Sequence, residues 1–154
     1  MLNNIAYKNG GGIFLTSSSF VEIINSVLMN NTARDGSGGG TYLEESSFCA
    51  ITHSTVNLNR AHEGSGGGMY LQTSSAAITG TEFTSNIATR GGGVYANGCN
   101  YLMISNAKFH INTAHYGGAV NVQNIKSNLG HKRWWRFFHG NAIRHLSSRL
   151  QFFG

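Results

Sequence analysis

"SNIATRGGGVYANG", residues 85 to 98, sets three consecutive glycines directly before Val94-Tyr95-Ala96. A glycine triplet can cradle a phosphate, hinge a loop or mark one turn of a repeat, and the three readings lead to different folds. The rest of the chain decides among them. The last residue of each glycine cluster falls at Gly12, Gly40, Gly68 and Gly93, and a fifth cluster reads Gly117-Gly118-Ala119, so the steps are 28, 28, 25 and 26 residues. A second landmark keeps the same period: Asn4-Ile5-Ala6, Asn31-Thr32-Ala33, Asn59-Arg60-Ala61, Asn86-Ile87-Ala88 and Asn112-Thr113-Ala114. Two motifs in step across five copies identify an internal repeat, and a period of this length belongs to solenoids.

Further columns follow from the period. Three residues before each asparagine stands an apolar residue: Met1, Leu28, Val56, Phe83, Phe109. Five residues earlier the chain carries Ile23, Ile51, Ile78 and Ile104, and two before those Val21, Cys49, Ala76 and Leu102. After the glycines come Ile13-Phe14-Leu15, Thr41-Tyr42-Leu43, Met69-Tyr70-Leu71, Val94-Tyr95-Ala96 and Val120-Asn121-Val122, which alternate with the period of two that a strand requires. Serine and threonine runs such as Thr16-Ser17-Ser18-Ser19 and Thr73-Ser74-Ser75 read as turns. Each copy therefore holds about three short strands, too little to bury its own apolar face. It can do so by coiling, each strand pairing in parallel with its equivalent one coil on. The expected fold is all-β: a right-handed parallel β-helix of about five coils over residues 1–125, the hand following the general preference of parallel crossovers. Asparagines stacked at equivalent turns would hydrogen-bond along the axis.

The chain has 154 residues, 40% hydrophobic and 11% charged, a globular composition of one domain's size. Its net charge of +5 is unevenly placed. Residues 1–125 hold five basic and six acidic residues, whereas 126–154 hold six basic and none acidic. That tail, with "HKRWWRFFHGNAIRHLSSRLQFFG" at residues 131 to 154, has both tryptophans and no repeat landmark. Ile143, Leu146, Leu150 and Phe153 keep a helical spacing. Three readings of 126–154 stand open: a short amphipathic helix capping the last coil, a segment meeting an anionic membrane or nucleic acid, or sequence unrelated to the repeat. No nucleic-acid partner is expected of the coils, and membrane contact is expected only through the tail. No signal peptide and no membrane-spanning apolar run are visible.

The repeat resembles the polymorphic outer membrane protein repeat, which pairs Gly-Gly-Ala/Gly-apolar with Phe-x-x-Asn. Phe83-Thr84-Ser85-Asn86 and Phe109-His110-Ile111-Asn112 match the second motif, Gly117-Gly118-Ala119-Val120 the first, while the Leu28 and Val56 copies depart at the aromatic. The resemblance covers about residues 1–123. It implies a pectin-lyase-like β-helix that is secreted or displayed at the cell surface or outer membrane, adhesive or scaffolding, with a surface protein or glycan as partner. Met1 takes the slot of a mid-coil aromatic, so the chain reads as a fragment.

The chemistry points to no enzyme. None of the glycine clusters is followed by Gly-Lys-Ser/Thr, which sets the phosphate reading aside. Carbohydrate cleavage needs clustered carboxylates, with or without calcium. The register lines up Lys8, Asp35, Glu63 and Arg90 at the loop edge, a solvated charge ladder in which Asp35 and Glu63 are neighbours that could share a cation, each with an opposite charge on its other side. The alternative is an incomplete or inactive relative of carbohydrate-active β-helix enzymes. The candidate binding residues are Phe14, Tyr42, Tyr70 and Tyr95, a column facing away from the aliphatic one, read either as a stiffening stack or as an outward sugar- or protein-binding face. His62 and His115 stand two coils, about 10 Å, apart, too far for one zinc ion. No metal site, no cofactor and no disulfide between Cys49 and Cys99 are expected.

Overall fold

The computed structural model describes residues 1–17, 20–45 and 48–124. Strands appear in groups of four. The first coil contains β1 (Ile5–Ala6), β2 (Ile13–Thr16), β3 (Phe20–Ile24) and β4 (Val27–Met29). The second contains β5 (Thr32–Ala33), β6 (Thr41–Glu44), β7 (Phe48–Thr52) and β8 (Thr55–Asn57). The third contains β9 (Arg60–Ala61), β10 (Met69–Gln72), β11 (Ala76–Thr79) and β12 (Glu82–Thr84). The fourth contains β13 (Ile87–Arg90), β14 (Val94–Asn97), β15 (Leu102–Ser105) and β16 (Lys108–His110), and β17 (Thr113–Tyr116) and β18 (Val120–Gln123) begin another. Every strand pairs in parallel with its equivalent one coil away, giving sheets ordered β1-β5-β9-β13-β17, β2-β6-β10-β14-β18, β3-β7-β11-β15 and β4-β8-β12-β16. The fold is the expected parallel β-solenoid, with about four complete turns and no helix among the described residues.

One expectation needs correcting. Each coil has four strands instead of three, because the Asn-x-Ala landmark is itself a short strand: Ile5 pairs with Thr32, Ala6 with Ala33, Thr32 with Arg60 and Ala33 with Ala61. A two-residue strand is too short to show alternation, so only stacking reveals it. The helical cap expected within residues 126–154, and the turn residues Ser18 and Ser19, lie outside the described residues.

The interior is built from the columns. Val21, Cys49, Ala76 and Leu102 are register partners, as are Ile23, Ile51, Ile78 and Ile104. Leu28, Val56, Phe83 and Phe109 form a third column, with the Phe83 and Phe109 rings stacked at 5.0 Å. A further column holds Leu15, Leu43, Leu71, Ala96 and Val122.

At the corner after the apolar column the asparagines run as a continuous chain. The backbone N–H and Nδ2 of Asn31 both donate to Asn59 Oδ1, at 3.0 and 2.9 Å, and those of Asn59 to Asn86 Oδ1, at 2.9 and 3.0 Å. Asn4 and Asn112 continue it at the two ends. The second proton of each buried amide goes to a carbonyl of the coil below, Leu28 for Asn59 and Val56 for Asn86. Such a corner leaves none of the buried amide unsatisfied. The glycine triplet is explained by contact between coils: a Cβ on Gly39 would come within 2.5 Å of the Arg60 carbonyl, and one on Gly40 would meet the Gly68 carbonyl.

Candidate functional site

The four candidate residues do form one column. Phe14, Tyr42, Tyr70 and Tyr95 are register partners on consecutive strands β2, β6, β10 and β14. Their rings stack at centroid distances of 5.1, 4.8 and 5.2 Å with interplanar angles of 13°, 4° and 13°. The column faces away from the aliphatic core, as the alternation requires, yet it is not uniformly accessible. Tyr42 and Tyr95 keep only 6% and 5% of their surface, whereas Phe14 at the end of the stack keeps 52%. Tyr42 and Tyr70 each have a ring on both faces, whereas Tyr95 has one ring neighbour and pairs on its other side with Asn121. The column is thus a stack of rings with an accessible end at Phe14 and a partly exposed Tyr70.

Two residues further on runs a polar row, Glu44, Gln72, Asn97 and Gln123, also in register. The Tyr70 hydroxyl donates to Gln72 Oε1 at 2.9 Å and the Tyr95 hydroxyl to Gln123 Oε1 at 3.1 Å. Asn97 Nδ2 donates to Gln72 Oε1 at 3.2 Å. Burial pushes all three tyrosine hydroxyls above their ordinary value of 10.0. The Glu44 carboxylate adds to that at Tyr42, and Arg90 opposes it at Tyr95. These phenols are held as neutral donors, not as bases or nucleophiles.

A second aromatic cluster was missed. On the neighbouring sheet Phe20 and Phe48 stack at 5.9 Å, and Phe48 leans across Ser75 to meet Tyr101 at 6.4 Å and 30°. Phe20 and Tyr101 are 61% and 46% exposed, more open than the inner members of the ladder. The signal was present, since these residues immediately precede the Val21, Cys49 and Leu102 column, but Ser75 interrupts the aromatic series.

The charged edge differs from its expected register. Ile87 faces Arg60, but Arg90 bridges to Ser65 instead of Glu63, because the lower coil spends two more residues over the same stretch. Arg90 instead lies over the Tyr116 ring, 5.8 Å from its centroid, and Arg34 lies over Tyr7 at 5.1 Å. No cluster of three or more His, Cys, Asp or Glu side chains converges among the described residues. Both cysteines are free and fully buried. Burial pushes the Cys49 thiol up to about 12 and the Cys99 thiol up to about 11.

The stacked parallel coils, the asparagine corner and the ladders define a β-helical repeat protein. Residues 1–130 match the family described as Periplasmic copper-binding protein (NosD), and the chain belongs to that family. No curated protein and no solved structure matches it.

Proposed function

We propose that the chain is a non-catalytic scaffold and binding segment of a cell-envelope β-helix. The observation that carries this reading is the closed ladder of Phe14, Tyr42, Tyr70 and Tyr95. Where a substrate cleft would have to open on this sheet, rings pack at 4.8–5.2 Å and the polar row beside them is engaged with the tyrosine hydroxyls. A surface so tied to itself supplies stiffness, and contact with a partner falls to the exposed aromatics: Phe14 and Tyr70 on one sheet, Phe20 and Tyr101 on the next. The family description supports an envelope location. The finer resemblance of Phe83-Thr84-Ser85-Asn86 and Phe109-His110-Ile111-Asn112 to the polymorphic outer membrane protein repeat supports display at the surface, with a glycan or surface protein as partner. The metal in the family description finds no matching donor set among the described residues, and no step of this reading passes through it.

A second reading, an inactive relative of polysaccharide-cleaving β-helices, rests on Asp35 and Glu63, which occupy consecutive coils at the loop edge. The test is to incubate the chain with polygalacturonate and with envelope glycans, following both retention and product. Retention without cleavage, weakened in Phe14→Ala and Phe20→Ala, supports the scaffold reading. Sustained turnover lost in Glu63→Gln would replace it.

A further inference from the structure

We infer that the coils of this chain do not hold copper, although the family description names that metal. The reason lies in solenoid geometry. A copper site draws thiolate, thioether or imidazole donors onto one ion at roughly 2 Å each, so that donors lie within about 4 Å of one another. Along a stack of parallel strands, equivalent side chains are about 4.8 Å apart in adjacent coils and about 10 Å apart across two. The direct route to a soft-metal site on such a scaffold is therefore a column that repeats a donor in consecutive coils.

The described columns do not repeat one. Cys49 stands between Val21 and Ala76. Met69 stands between Thr41 and Val94, and Met103 beside Ala77. Met29 and His110 belong to one column but are separated by Asn57 and Thr84. His62 follows Ala61 and His115 follows Ala114, with Thr89 in the coil between them. His53 packs over Gly80, close enough that a Cβ there would meet its ring at 2.7 Å. The thiols are equally ill-placed, since both fill the core and burial keeps them protonated. Among the described residues Asp35 and Glu63 hold the same repeat position in consecutive coils, and they offer hard oxygens, which suit magnesium or calcium better than copper.

The test must separate the coils from the three histidines beyond them. In one full-length variant His131, His139 and His145 are all replaced by Ala, and in a second they are all replaced by Gln. Each, with the unmodified chain, is titrated with Cu(II) by calorimetry and with Cu(I) against a chromophoric chelator, and thermal unfolding is followed in excess metal. We expect neither variant to show a stoichiometric site tighter than about 10 µM, and neither to gain thermal stability from copper, because a ligand that binds only the folded state must raise it. Binding by the unmodified chain that both variants lose leaves the inference standing. A one-equivalent site retained in either folded variant, with a raised unfolding temperature, overturns it.

Discussion

Asn59 is fully buried with its whole amide engaged, whereas Thr41, only 1% exposed, has a hydroxyl with no hydrogen-bond partner among the described residues. The difference follows from their columns. Asn59 sits between two other asparagines, so donor meets acceptor at each step. Thr41 sits in a row whose other members are Ile13, Met69, Val94 and Val120 and which offers only aliphatic neighbours. Substitution should therefore act with opposite signs. Asn59→Ala strands the Asn31 N–H and Nδ2, the Leu28 carbonyl and part of Asn86 Oδ1. At about 1–3 kcal/mol per orphaned buried group, less relaxation, we expect a loss of about 3–5 kcal/mol. Thr41→Val keeps the shape and removes the unpaired hydroxyl, and we expect a gain of about 1 kcal/mol. Urea unfolding of the two variants checks both, and a destabilised Thr41→Val would show that its hydroxyl is satisfied in solution.

At the scale of the strand and its corner, glycine takes two roles that the letter G conceals. Gly98 has a positive φ of 65°, but a Cβ there would meet nothing nearer than 3.5 Å, so Gly98→Ala costs only the left-handed backbone, about 1–2 kcal/mol. At Gly39 a Cβ would be driven within 2.5–2.6 Å of three Arg60 backbone atoms in the next coil. Backbone held by the ladder cannot move aside, so Gly39→Ala should part β5 from β9 and cost more than Gly98→Ala, about 3 kcal/mol or above. Thermal unfolding of the pair decides it, and a loss at Gly39→Ala no larger than at Gly98→Ala would show that the neighbouring coil yields to the added Cβ. The period, the inward columns and the asparagine corner were legible because each repeats a residue type at fixed spacing. The strand at Asn-x-Ala was hidden by its length. A second polar ladder, in which Ser26 N–H donates to Ser54 Oγ at 3.1 Å and Ser54 N–H to Thr81 Oγ1 at 3.3 Å, was hidden because serine and threonine between strands read as turn formers.

For the molecule as a whole, the stack fixes which groups face solvent, and here the sequence was less informative. It placed Phe14, Tyr42, Tyr70 and Tyr95 in one column and on the right side of the sheet. It left open whether the column is a stiffening stack or an accessible face, since burial of an outward side chain depends on neighbours that alternation does not encode. The same closure concentrates acidic protons in shielded places: the thiols of Cys49 and Cys99 inside, and the hydroxyls of Tyr42, Tyr70 and Tyr95 in the ladder. All five ionise less readily in the folded chain than in the unfolded one, the thiols rising from 9.0 to about 12 and about 11. At alkaline pH the folded state therefore binds more protons than the unfolded state, and stability must fall as pH rises. Their contribution is complete below about pH 9, where both states are protonated, and is lost progressively as pH climbs from there toward 12. We expect the unfolding free energy, measured by urea titration, to be insensitive to these groups from pH 7 to about 8.5 and to decline steadily through pH 10 and 11. The double variant Cys49→Ala, Cys99→Ala should be less stable throughout but decline less steeply between pH 9 and 10, the interval where unfolded thiols ionise ahead of unfolded tyrosines. An unchanged slope in that variant would mean that the two thiols are reached by solvent in the native fold, and that the coils are packed more loosely than their ladders require.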